Sequence, residues 1–196
     1  MHHYKFYICV TPFFPSPNNW RGAYVLDQVK AIQRHSMLKV LVFMPSSRDG
    51  EYEIDNIKVY LFKIRQTPSY FFNGLFNEYN TSKFIERINS ASINIDDIKF
   101  VHCHSGQNGC YGLAIKKINP HIKVLLQHHN LDTFTVMNGK YSGWKLNNHY
   151  RAKKAIDIFN KVEIHICISE PVKDSLLSFP KARKNEVFEP YPESTM

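Results

Sequence analysis

Apolar residues in this chain gather in short runs, and the stretches between the runs are amphipathic at helical spacing. Residues 4–10 form a mostly apolar run of strand length, and residues 39–43, 57–64, 99–103, 122–127 and 162–168 repeat it. After Gly22, the residues Val25, Leu26, Val29 and Ile32 recur with the period of a helix that ends near His35 and Ser36. The stretch 70–93 is aromatic-rich and then helical, with Phe84, Ile85 and Ile88 on one face. Residues 106–118 and 150–160 predict two further helices. Ser169 is placed to cap a helix that carries Glu170 and Pro171 in its first turn and reaches Phe179. Val187 and Phe188 read as a last short strand, residues 49–51 as a turn region and residues 130–147 as a loop.

Strands that alternate with helices, several of them apolar throughout, imply a parallel sheet covered on both faces. The expected class is α/β, Rossmann-like. Ligands of such sheets bind outside the carboxyl ends of the strands, where the strand order reverses. That directs attention to residues 11–22, 104–109, 127–133 and 169–171.

The length of 196 residues suits one domain. With 43% hydrophobic and 21% charged residues the composition is that of a soluble globular protein. Cys9, Cys103, Cys110 and Cys167 show no CxxC spacing, and three of them lie in apolar runs, where a reduced cysteine behaves as a small hydrophobe. No signal peptide opens the chain and no run approaches the ~20 apolar residues of a membrane span. A cytoplasmic protein is expected. The formal charge of +8 favours anionic partners. Its clusters, Arg151 to Lys154 and Lys181 to Lys184, admit two readings: solvated surface, or contact with a membrane or a diphosphate-linked lipid. They lack the interleaved aromatics of a single-strand nucleic-acid groove, and no nucleic-acid partner is expected.

Three constellations lie at predicted strand ends. Pro12, Pro15 and Pro17 stiffen the loop that leads through Trp20, Arg21 and Gly22 into the first helix. A helix N-terminus of this kind attracts phosphate. His102 and His104 fall on one side of a strand, ahead of Ser105 and Gly106. An HxH pair can bind zinc, but no further ligand stands at recognisable spacing, so no metal is expected. Gln127, His128, His129, Asn130, Leu131 and Asp132 follow another strand, and imidazoles there suit work near neutral pH. Ser169 and Glu170 begin the last helix, where capping by itself accounts for both residue types.

In this order, Phe14-Pro15-Ser16-Pro17, Trp20-Arg21-Gly22, His102-Cys103-His104-Ser105-Gly106, Gln127-His128-His129-Asn130-Leu131-Asp132 and Ser169-Glu170 resemble the N-terminal, acceptor-side domain of family 4 glycosyltransferases of the GT-B fold. The resemblance runs from about residue 4 to residue 188. Many members carry tandem glycines where this chain has Arg21-Gly22, and a glycine where it has Asn130. The resemblance implies that Gly22, with Arg21 beside it, faces the donor diphosphate. It implies that His104, Ser105, Gly106, Asp132, Ser169 and Glu170 line the cleft and acceptor site, and that a histidine after the fifth parallel strand acts near the transferred sugar. His129 is favoured for that role and His128 is retained.

The implied activity is hexosyl transfer from a nucleotide-sugar, a co-substrate and not a cofactor, in cell-surface polysaccharide or glycolipid synthesis. The partners are the donor, a saccharide or lipid-linked acceptor, a donor-binding domain on another chain, and the inner membrane face. The sequence is expected to be the N-terminal domain alone, over residues 1–196, without the donor-binding domain and so not competent by itself. The competing readings are a non-catalytic acceptor-binding or membrane-docking module and a metal-dependent hydrolase.

Overall fold

A computed structural model describes residues 5–68, 72–129, 136–137, 140–141, 146–177 and 186–188. In chain order the elements are β1 (Phe6–Val10), α1 (Ala23–His35), β2 (Lys39–Ser46), β3 (Gly50–Ile54), β4 (Ile57–Lys63), α2 (Asn77–Ser90), β5 (Ile98–His104), α3 (Gly109–Ile118), β6 (Lys123–His128), β7 (Val136–Met137), β8 (Lys140–Tyr141), α4 (Leu146–Phe159), β9 (Ile164–Cys167), α5 (Glu170–Leu177) and β10 (Glu186–Phe188). Eight strands form one sheet in the order β10-β9-β6-β5-β1-β2-β4-β3. All neighbours are parallel except β3 and β4.

The chain therefore leaves β1 through β2 and β4, then returns to the other side of β1 and leaves through β5, β6 and β9. The strand order reverses between β1 and β5, which is where an α/β sheet opens its ligand crevice. The α/β, Rossmann-like class read from the apolar pattern is the observed one.

Alternation along the strands feeds two apolar layers. On one face Ile8, Val10, Leu41, Phe43 and Phe62 meet Phe84 and Ile88 of α2, Tyr111 and Ile115 of α3, and Ile158 and Phe159 of α4. Phe84 stands edge-on to Phe43, with ring centroids 5.4 Å apart, and its burial contributes about 1.5–3 kcal/mol. On the other face Tyr7, Cys9, Val40, Val42 and Val59 pack under Val25, Leu26 and Val29 of α1.

The structure corrects several element boundaries. Residues 50–54 form an antiparallel edge strand, so the turn expected at 49–51 lies further on. It is made by Asp55 and Asn56, both with positive φ (50° and 62°), as a tight hairpin requires. Charged Glu51 and Glu53 alternate with Tyr52 and Ile54 on this strand, and charge on an edge strand discourages pairing with another chain. The helix expected within 70–93 occupies Asn77–Ser90, and α4 starts at Leu146 rather than Tyr150. Two short strands, β7 and β8, pair where a loop was expected. The cluster Lys181 to Lys184 lies outside the described residues. Among the described residues no helix is long and apolar enough to cross a membrane.

Candidate active site at the carboxyl edge of the sheet

The loop after β1 is built by local hydrogen bonds. Thr11 Oγ1 donates to the Phe13 carbonyl (2.9 Å), the Tyr52 hydroxyl donates to the Pro15 carbonyl (2.9 Å), and Ser16 and Asn19 bridge through their backbones. The loop enters α1 at Gly22, whose φ is 88°. A Cβ there would stand 2.5 Å from the Phe13 carbonyl oxygen, so the fold of the loop by itself demands glycine. Arg21 is exposed and lays its guanidinium 3.6 Å above the Phe13 ring.

Strand parity sorts the histidines. His104 of β5 is aligned with Gln127 of β6, so the two side chains share a face, and His129, two residues on, shares it as well. His104 Nδ1 lies 2.8 Å from His129 Nε2 with the rings stacked. His102 lies beside His104, ring centroids 4.4 Å apart, and its Nδ1 is 2.5 Å from the Tyr7 hydroxyl. Tyr24 of α1 covers His129 at 5.0 Å. His128 points to the opposite face, where its Nε2 is 2.9 Å from His165 Nδ1 and its ring stands edge-on to Phe159.

Burial keeps these imidazoles neutral. It lowers His102 and His128 to about 3 and His165 to about 4. It also holds His104 well below the usual range, with further repulsion from His102 and His129, and lowers the half-buried His129. Near pH 7 the cluster offers N–H groups and lone pairs rather than charge.

Between β5 and α3 the backbone is strained. Ser105 has φ 69° and ψ 146°, a conformation that costs about 1–3 kcal/mol. It is held because its N–H donates to the Gln127 carbonyl (2.9 Å) and Asn108 Nδ2 donates to the His104 carbonyl (2.8 Å). The strain turns Ser105 and Gln107 toward a cavity of about 750 Å³. Its walls come from the loops after β1, β2, β4, β5 and β6, from the segment ahead of α2, and from Arg151 of α4. Asn80 shapes one wall by bonding both the N–H and the carbonyl of Arg65 (2.8 and 3.0 Å).

The structure thus brings His104, Ser105 and His129 to one cavity, with buried Gly106 behind them. His128 is sealed on the other face. Arg21 and Gly22 belong to the loop above α1 and do not line the cavity. Ser169 and Glu170 are exposed at the start of α5, also off the cavity wall, and the Ser169 carbonyl accepts from Val172 and Lys173. Asp132 lies outside the described residues. Sequence reasoning missed Tyr24 and Arg65, reached Gln107 and Asn108 only as part of the loop 104–109, and treated Arg151 only as part of a basic cluster. Arg65 carried one usable signal, its position just past a strand end. Among the described residues no group of three or more His, Cys, Asp or Glu side chains is placed to hold a metal ion. None of the described residues lining the cavity is an Asp or Glu.

Several solved structures share this fold. Sucrose-phosphate synthase from Thermosynechococcus elongatus is 12% identical, with a TM-score of 0.63 over 94% of this chain and 47% of that one. An α,α-trehalose-phosphate synthase (UDP-forming) from Burkholderia vietnamiensis is 9% identical, with a TM-score of 0.57 over 93% of this chain and 44% of that one. LpCGTa in complex with UDP is 8% identical, with a TM-score of 0.56 over 98% and 55%. The fold is that of one Rossmann-like half of a GT-B glycosyltransferase, and the chain spans about half the length of the structures it matches. A family model matches residues 22–189, and the chain belongs to Glycosyltransferase Family 4. Comparison with curated protein sequences finds no match.

Proposed function

We propose that this domain binds the acceptor, and forms part of the cleft, for hexosyl transfer from a nucleotide-sugar in the synthesis of cell-surface polysaccharide or glycolipid. The observation that carries the reading is the cavity at the reversal of strand order, walled by the His104–His129 pair. A cavity of about 750 Å³ has room for a saccharide. Its amides, hydroxyls and neutral imidazoles match the donors and acceptors of sugar hydroxyls. His129 is the residue proposed to orient sugar and acceptor, with His104 fixing its ring. The start of α1, at Arg21 and Gly22, is proposed to meet the donor diphosphate, where helix N–H groups favour an anion. Ser169 and Glu170 would stand on the rim.

The domain offers positioning and, among the described residues, no carboxylate at the cavity, so a donor-binding domain, in further sequence or on another chain, is proposed to complete the site. Orientation of two reactants is worth about 7–11 kcal/mol of barrier, which a half-site forfeits. The test is nucleotide-sugar hydrolysis and transfer by the 196-residue chain, alone and with a donor-binding domain supplied. Transfer only with the second domain is expected. Transfer by the single chain would overturn the need for it, and saccharide binding without transfer in either mixture would leave a non-catalytic acceptor module.

A further inference from the structure

Two arginines, Arg65 and Arg151, line the cavity, and none of the described lining residues is an Asp or Glu. Elsewhere some basic side chains are paired with carboxylates. Arg87 Nη2 lies 3.1 Å from Glu51, Lys5 Nζ lies 2.7 Å from Asp97, and Lys116 pairs with Glu163. Neither cavity arginine has such a partner among the described residues. Arg65 is exposed and held by its backbone to Asn80, with its guanidinium 4.2 Å above the Tyr79 ring. Arg151 comes from a cluster that admitted two readings, solvated surface or contact with an anionic partner, and its Nε is buried with no hydrogen-bond partner among the described residues. Leaving a buried guanidinium N–H without an acceptor is costly, and a ligand oxygen would supply one.

Two further polar groups at the same cavity are unpaired. Both amide atoms of Gln107 are buried without a partner. So is Nε2 of His104, whose residue is 1% exposed.

We infer that the cavity takes an acceptor bearing a phosphate ester, with the phosphate between Arg65 and Arg151 and saccharide hydroxyls on Gln107 and His104. Guanidinium groups match phosphate oxygens in geometry and charge, whereas the amide and the neutral imidazole match hydroxyls. The inference rests on the acceptor-binding role proposed above and names the chemical class of that acceptor. The phosphate could belong to a soluble sugar phosphate or to a polyprenyl-linked sugar, and the chemistry at the arginines is shared.

The test is calorimetric titration of the whole chain, without donor, using glucose 6-phosphate, glucose, inorganic phosphate and a polyprenyl-phosphate hexose in detergent micelles. Tighter binding of one phosphorylated sugar than of glucose or phosphate, by at least about tenfold, is expected. Which of the two binds identifies the source. Arg65→Gln and Arg151→Gln should each weaken that binding about 10- to 100-fold, and Arg65→Lys should recover part of it. Arg65 is exposed, so Arg65→Gln remains informative if Arg151→Gln fails to fold. Glucose binding as tightly as its phosphate would overturn the phosphate site and leave the acceptor role standing. Inorganic phosphate binding as tightly as the sugar phosphate would instead overturn the saccharide-acceptor role. No binding of any probe, or intact binding in Arg65→Gln, would overturn the inference.

Discussion

His128 and His129 are neighbours in the chain and strangers in the fold. Each meets a second imidazole at hydrogen-bond distance, His165 at 2.9 Å and His104 at 2.8 Å. The first pair lies under Phe159 on the helix α4 side and is sealed. The second lies on the α1 side and borders the cavity. Residue type and pairing are the same on both sides, and exposure to a ligand is not. A histidine–histidine contact is therefore no mark of a functional site. The face of the strand on which it falls decides whether it packs or binds.

The strongest way to probe this contrast is acid. His102, His128 and His165 are held at about 3 to 4 in the fold, below the ~6.5 of an unfolded chain. Between those values the unfolded state binds more protons. The stability these groups contribute is therefore complete above about pH 6.5 and is lost as pH falls toward 4. At pH 5 each costs about 2 kcal/mol, together a large part of the ~5–15 kcal/mol of a typical domain. Denaturant melts between pH 7 and 5 should show this decline. In the folded chain, imidazole NMR should show His129, the more exposed, titrating closer to the ordinary value than His128. A flat stability profile would mean that the buried rings are not neutral as described.

Substitution separates the two pairs next. His129→Ala, in the completed enzyme, is expected to lower kcat/KM by about 10²–10³ with little change in melting temperature. His128→Ala should do the reverse. It should cost about 2–4 kcal/mol of stability through a cavity beneath Phe159, while the folded fraction keeps its kcat/KM. Equal effects on activity would erase the distinction between the faces. The smallest effect is expected from Tyr7→Phe, which removes the hydroxyl bonded to His102 at the base of the cavity-side column. It should lose about 0.5–1.5 kcal/mol in thermal unfolding and alter activity only slightly. A loss of activity as large as that of His129→Ala would show that the column sets the imidazole positions.

Much of this was legible in the residues. Apolar runs marked β1, β2, β4, β5, β6 and β9, because strands buried on both faces must be apolar throughout. The loops that follow β1, β5 and β6, singled out because a parallel α/β sheet opens its crevice there, contribute residues to the cavity wall. The edge strand β3 escaped notice because Asp49 and Gly50 look like a turn, while the true turn uses Asp55 and Asn56 in left-handed conformations. The choice between His128 and His129 was within reach of parity. Val124 and Leu126 are buried with the α3 and α4 layer, and His128 must follow them.

The order of residues by itself determined the class of the fold, the strand ends that carry polar chemistry, and the family to which the chain belongs. Those depend on local periodicity and on motifs a few residues long. Only the tertiary structure decided that Arg65, Gln107, His129 and Arg151 share one cavity, that Arg151 leaves its basic cluster for that cavity, and that Gly22 answers to the Phe13 carbonyl. These residues come from segments far apart in the chain. Their meeting is set by strand order and by the packing of α1 and α4 against opposite faces of the sheet, which no local pattern encodes.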